Sequence, residues 1–277
     1  MKKTFLLAAL MLATVINAQV LNVASIQKLN TPQNSDTKVA GISPTGDYIL
    51  LTSGANKGLT RFDLATGNTM TITEQEGAGY EVKISDNGNE VIYRETTYDK
   101  NHMRRNNILH MSFATRKRAL VAQGQRDIKR MQFESRPTIS INDRLMVLTQ
   151  NDESTTLAPN GKDASYIWPS ISPDGTKICY YVCGTGCYVC NIDGSNPQYI
   201  AHDCRAAKWY NNDIIIGMND TDDGEFILSS QIVAFDLRGN SQVLTDDSMV
   251  AMYPYAIEGA VVFTTLQGET YLIHVNN

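Results

Sequence analysis

The sequence lacks most of the features that announce a reaction. Its 277 residues contain only four histidines (His102, His110, His202, His274), widely scattered. No G-x-S-x-G elbow is present, so the chain offers no serine-hydrolase constellation. No stretch beyond the N-terminal segment approaches the roughly 18 apolar residues that a spanning helix needs, which argues against an integral membrane span. Sustained helical periodicity is missing too. Neither sign of charge dominates: 24 Lys and Arg stand against 29 Asp and Glu, a formal net charge of −5. That mild acidity removes the main electrostatic argument for nucleic acid as a partner. At 42% hydrophobic and 19% charged, the composition is that of an ordinary globular chain rather than a disordered one.

The first residues read as an export signal. Lys2 and Lys3 precede a largely apolar run from Phe5 to Ile16, and Ile16-Asn17-Ala18 is an acceptable cleavage site. The expected organisation is a signal peptide over 1–18 and one domain over 19–277, placed in the periplasm or outside the cell. No cysteine lies beside the cleavage point to carry a lipid. Loss of two lysines leaves 22 basic residues against 29 acidic, so the mature chain carries −7.

A repeat fills what remains. Its clearest copy is Trp168-Pro169-Ser170-Ile171-Ser172-Pro173-Asp174-Gly175-Thr176-Lys177-Ile178-Cys179-Tyr180-Tyr181. Ser-Pro-Asp-Gly is a type I turn in which Pro fixes φ at the second position and Gly closes the turn, so the unit is a hairpin. Equivalent turns fall at Ser43–Gly46, Ser85–Gly88, Ser140–Asp143, Tyr210–Asp213 and Ile257–Gly259, with a mean spacing of 42.8 residues. Third and fourth strands follow at Thr60–Leu64 and Thr69–Ile72, at Tyr188–Ile192 and Gln198–Ala201, and at Ile232–Leu237 and Gln242–Thr245. Four short strands every 40 to 45 residues or so is the signature of a propeller blade. Six units imply an all-β, six-bladed propeller of four-stranded blades. The last unit has only three strands, and the orphan Val23–Leu29 is expected to complete it and close the ring.

Pro169–Ile178, followed by Val189-Cys190-Asn191-Ile192-Asp193-Gly194, resembles the repeat of TolB-type six-bladed propellers. The resemblance implies a fold and an exported setting rather than an activity. Some related propellers host lyases or hydrolases that use channel histidines and a metal. Aligning the six units on their turns puts Val39, Glu81, Arg136, Trp168, Ala206 and Tyr253 at one level of the channel, with Gly41, Lys83, Thr138, Ser170, Lys208 and Tyr255 two residues below. No histidine is among them, so neither a metal nor another cofactor is expected. The mixture of Arg, Trp, Tyr and Glu has the stacking, hydrogen bonding and charge that glycan or other small-ligand sites use, the alternative being that these residues simply plug and hydrate the channel.

Charge is strongly segregated. Lys100–Arg136 carries a net +8 and Asp213–Asp247 a net −7. In a six-membered ring these segments lie on opposite sides, and Arg104, Arg105, Asp222 and Asp223 are expected in loops that share the top face. A dipolar face would steer a charged partner. Asn219–Gly224 has oxygen-bearing residues like the start of a calcium loop but lacks the distant bidentate Glu, and a plain acidic loop is preferred.

All five cysteines lie between Cys179 and Cys204. Pairing the hairpin around Gly184-Thr185-Gly186 places Cys183 opposite Cys187, and a bridge between them is expected in an exported protein. Zinc held by Cys183, Cys187, Cys204 and His202 is the sharper alternative. The expected function is a non-catalytic binding or scaffold module for a protein partner at the cell envelope. The alternative is a carbohydrate-binding or carbohydrate-active propeller using Trp168, Tyr253 and Arg136.

Overall fold

The computed structural model describes residues 19–32, 36–133, 136–151 and 153–276. The expected signal peptide therefore lies outside the described residues. The chain begins with β1 (Asn22–Lys28). Blade one is β2 (Thr37–Ile42), β3 (Tyr48–Ser53), β4 (Leu59–Asp63) and β5 (Thr69–Thr73). Blade two is β6 (Lys83–Ile84), β7 (Glu90–Tyr98), β8 (Arg104–Ser112) and β9 (Arg118–Gln125). Blade three is β10 (Thr138–Asn142), β11 (Leu145–Gln150) and β12 (Glu153–Leu157). Blade four is β13 (Tyr166–Ile171), β14 (Lys177–Val182), β15 (Gly186–Asn191) and β16 (Gln198–Ala201). Blade five is β17 (Arg205–Trp209), β18 (Ile214–Asp222), β19 (Ile227–Asp236) and β20 (Ser241–Val243). Blade six is β21 (Ala251–Ile257), β22 (Ala260–Thr265) and β23 (Thr270–Asn276), completed by β1. Each is an antiparallel sheet, and together they form the expected six-bladed β-propeller; among the described residues blade three has three strands.

The turns form for the reasons their residues suggest. Gly46, Gly88 and Gly175 donate to Ser43, Ser85 and Ser172 at 2.9, 2.8 and 2.9 Å, each with φ of 70–74°. In blade four Ser172 Oγ donates to Asp174 Oδ1 and accepts from Lys177 N, so the turn's own side chains satisfy its backbone. Blade three departs from the expected register. Its reversal lies at Asp143-Arg144, between paired Asn142 and Leu145, with Asp143 at φ 56°. Arg144 O also accepts from Tyr166 N at the start of β13, so β10 is out of step with the other inner strands.

The second strand of each blade has two apolar faces, and alternation sends them to different neighbours. Tyr48 and Leu50 are buried against blade two, Ile49 and Leu51 against blade six. Val261 and Phe263 face blade five, whereas Val262 faces blade one. Five of the six blade junctions are closed by clusters of eight to fourteen buried residues. At the junction of blades two and three the buried cluster is only Ile92, Ile108 and Met131.

Strand β1 pairs with β23 from Asn22 opposite Asn276 to Lys28 opposite Tyr271, and Leu21 and Leu29 at its ends are both 5% exposed. Deleting residues 23–29 removes that ladder, at roughly 0.5–1.5 kcal/mol per hydrogen bond, and should lower the melting temperature by about 10 °C or more. An unchanged melt in differential scanning calorimetry would show that closure contributes nothing.

Candidate functional site

The inner strands surround a central cavity of about 690 Å³ whose wall includes Glu81, Lys83, Arg136, Ser170, Lys208 and Tyr255. A repeated β-bulge shapes its upper part. The ladder slips between Val39 and Gly41, Ile167 and Ser170, Arg205 and Lys208, and Met252 and Tyr255. Glu81, Trp168, Ala206 and Tyr253, which the turn alignment places at one level, all have left-handed φ of 51–55°. Holding a non-glycine residue there costs on the order of 1–3 kcal/mol, and bulges re-aim the side chains around them. Pro169 and Pro254, which cannot donate to a ladder, follow two of these residues and are the sequence signal for the interruption.

Below the bulge the channel carries paired charge. Glu81 Oε2 lies 3.2 Å from Lys83 Nζ, and Lys208 Nζ sits 5.3 Å from the Tyr255 ring centroid. Seclusion in the channel works to raise the Glu81 carboxyl, but Lys83 and then Lys208 outweigh it and hold the group below its ordinary range. Burial, followed by the Glu81 charge, pushes the Tyr255 hydroxyl well above its usual value. Arg136 does not sit with Trp168. Its Nε pairs with Asp86 Oδ1 at 2.8 Å, in the turn that ends the first strand of blade two. Trp168 is half-buried, edge-on to Tyr181 with ring centroids 5.7 Å apart and covered by the Arg205 guanidinium at 5.5 Å. Tyr253 is 39% exposed.

Two hairpins are longer than the rest: β7–β8 has nine residues per strand, and β18–β19 nine and ten. Both turn on the same face, in blades two and five, and carry the charged residues singled out by the sequence. Arg105 is engaged within its own hairpin by Asp99 Oδ2, at 3.0 and 2.7 Å from Nε and Nη2. Asp222 accepts from Arg205 Nη1 at 3.3 Å, and Asp223 Oδ1 accepts from Glu225 N and Phe226 N, closing the turn. Arg104 is exposed and makes no ion pair among the described residues. What the charge pattern concealed is apolar: Tyr98 and Met103 near one tip are 60% and 59% exposed, Phe226 and Leu228 at the other 63% and 61%.

The cysteine expectation is corrected by register. Tyr181 pairs with Cys187 and Val182 with Gly186, so the three-residue turn is displaced by one residue from the one a Cys183–Cys187 pairing requires. Cys183 therefore lies exposed in the turn, Cys187 is buried, and all five cysteines are free thiols. The Cys187 thiol is instead buried in one cluster with Cys204 of blade five. Cys179 and Cys190 occupy opposite faces of blade four, in separate core clusters. Among the described residues no group of three or more His, Cys, Asp or Glu is arranged to hold a metal; His202 is bonded to Asp203 at 2.6 Å and Asp220 to Arg205 at 2.7 Å.

No protein-family model matches the chain, and no curated protein matches it. Solved structures do. A TolB candidate from Agrobacterium tumefaciens superposes with a TM-score of 0.58 at 16% identity, over 87% of this chain and 90% of that one. An oligogalacturonate lyase in complex with manganese superposes with a TM-score of 0.50 at 13% identity, over 85% and 76%. At these identities the likeness is one of fold.

Two outcomes follow from the site chemistry. A thiol reagent should react rapidly with one cysteine, Cys183, in the native protein and with the remaining thiols only on unfolding; a native protein with no fast thiol would restore the Cys183 bridge. Because the folded Glu81 carboxyl titrates below 4.5, its contribution is complete above that pH and lost as pH falls through the folded value. The half-exposed site limits it to about 1 kcal/mol or less. The urea midpoint gap between wild type and Glu81→Gln should thus be flat above about pH 5 and narrow as pH falls below the ordinary carboxylate range, and a gap that persists in acid would contradict the assignment.

Proposed function

We propose that the protein is an exported, non-catalytic binding or scaffold propeller that takes a protein partner at the cell envelope on the face bearing the two long hairpins. The observation that supports this reading is the pair of apolar tips. Tyr98 and Met103 stand on one side of the ring and Phe226 and Leu228 on the other, each about 60% exposed. Four large apolar side chains held out on otherwise polar hairpins cost solubility unless something covers them, and such residues are typical interface anchors. Charge supplies orientation: Arg104 flanks the first pair, and Asp223 and Glu225 flank the second. Arg105 and Asp222, held by partners within the chain, stiffen the face rather than offer free charge. Export rests on the signal-like segment 1–18, and a periplasmic or secreted location follows from it.

A second reading places a glycan in the channel. A 690 Å³ cavity with Lys208 beside Tyr255, and with Trp168 half-exposed at the level above, has the size and polarity for it. The two readings separate experimentally. Phe226→Ser with Leu228→Ser should reduce capture of a defined envelope protein from periplasmic extract by about tenfold or more, with the melting temperature unchanged. Arg104→Glu should slow association several-fold at low salt and converge on wild type at high salt, as expected for about a Debye length of screening. Equal capture by all variants, together with glycan quenching of tryptophan fluorescence, would favour the channel instead.

A further inference from the structure

The weakest blade junction holds a second cavity, of about 520 Å³, between blades two and three. Its wall presents Arg94, Arg104, Arg126 and Lys129 against one carboxylate, Asp127. Asp127 is already occupied, its Oδ1 accepting from Lys129 N at 3.1 Å. None of the four cations forms an ion pair among the described residues. Arg94 is the notable one. It is 7% exposed, its Nε donates to Gly77 O at 3.2 Å, and its guanidinium lies 4.3 Å from the Tyr80 ring centroid. Its remaining N–H groups meet no acceptor among the described residues. Burial, then the like charge of Arg104, lowers its proton affinity.

Glu81 acts on Arg94 only from beyond ion-pair distance, and a buried guanidinium without a carboxylate in contact is costly, so that proteins rarely hold one unless something else supplies the negative charge. Asn106 in the same wall adds an independent observation. It is 1% exposed, its Nδ2 donates to Gln125 O at 3.4 Å, and its Oδ1 has no hydrogen-bond partner. The Gln125 carbonyl fixes the amide's orientation, so the missing partner is a donor. Cations that lack an oxyanion and an acceptor that lacks a hydroxyl describe one kind of molecule.

We infer that the cavity between blades two and three binds a small hydroxylated organic anion, its carboxylate or phosphate held by Arg94, Arg104 and Arg126 and a hydroxyl donated to Asn106. The site lies apart from the channel cavity and shares Arg104 with the tip of the blade-two hairpin.

Isothermal titration of the full mature chain with gluconate, glucose 6-phosphate and neutral glucose tests this. At least one anion should bind and glucose should not, and which anion binds tells carboxylate from phosphate. Arg104→Gln and Arg126→Gln, both at exposed positions, should each weaken binding about 10- to 100-fold, the value of a charge-assisted hydrogen bond. Arg94→Gln should abolish binding, with a melt to confirm folding. Phe226→Ser with Leu228→Ser should leave it unchanged, so that loss of partner capture and loss of the anion are read separately. No heat with either anion at millimolar concentration, or equal binding by wild type and the Arg104→Gln, Arg126→Gln double variant, would overturn the inference.

Discussion

Each blade in this ring has two apolar faces and can bury neither of them alone. Everything else depends on that constraint. The alternation of Tyr48, Ile49, Leu50 and Leu51 between two neighbouring clusters makes the blades mutually dependent, because removing one exposes a face on each side. A sheet that buries both faces must continue until it meets its own beginning. Strand β1 satisfies this by completing blade six, covering the edge of β23 and joining the two ends of the chain in one blade.

The same constraint explains where the chain has room for ligands. Junctions sealed by many buried apolar residues leave no space, whereas the junction of blades two and three is sealed by three and leaves a cavity lined with arginines. Blade three is also the one whose inner strand runs out of step with the rest. A propeller tolerates such a blade because its neighbours on both sides are fixed by the closed ring. The central channel arises differently: repeated bulges with left-handed residues at Glu81, Trp168, Ala206 and Tyr253 turn the inner strands at a common level. Strain repeated at one level in four blades is a property of the ring, not an accident of one loop.

Much of the fold was legible in the residues because its grammar is local. Ser-Pro-Asp-Gly closes a turn wherever it occurs, and strands of alternating apolar residues follow with period two. The orphan at Val23–Leu29 could be matched to the unfinished sixth blade by counting alone. The site was less legible. The segregated charge falls on the long hairpins of blades two and five, yet Arg105, Asp222 and Asp223 are consumed by contacts within or beside their own hairpins. Arg136 was expected beside Trp168 and lies against Asp86, because alignment on a turn fails where the turn itself has moved by two residues. The cysteine pairing failed for a related reason, since a three-residue turn displaced by one residue puts Cys183 in the turn and leaves Cys187 buried in one cluster with Cys204.

By itself the sequence determined the repeat, its turns, the number of blades and the strand that closes them, since each follows from interactions between residues near one another or from a count. Only the tertiary structure decided which charges are free, which thiols are buried together and which buried arginine has no ion-pair partner. Those outcomes depend on the junctions between blades, where residues some 20 to 220 positions apart come into contact, and no local pattern encodes how two such surfaces will fit.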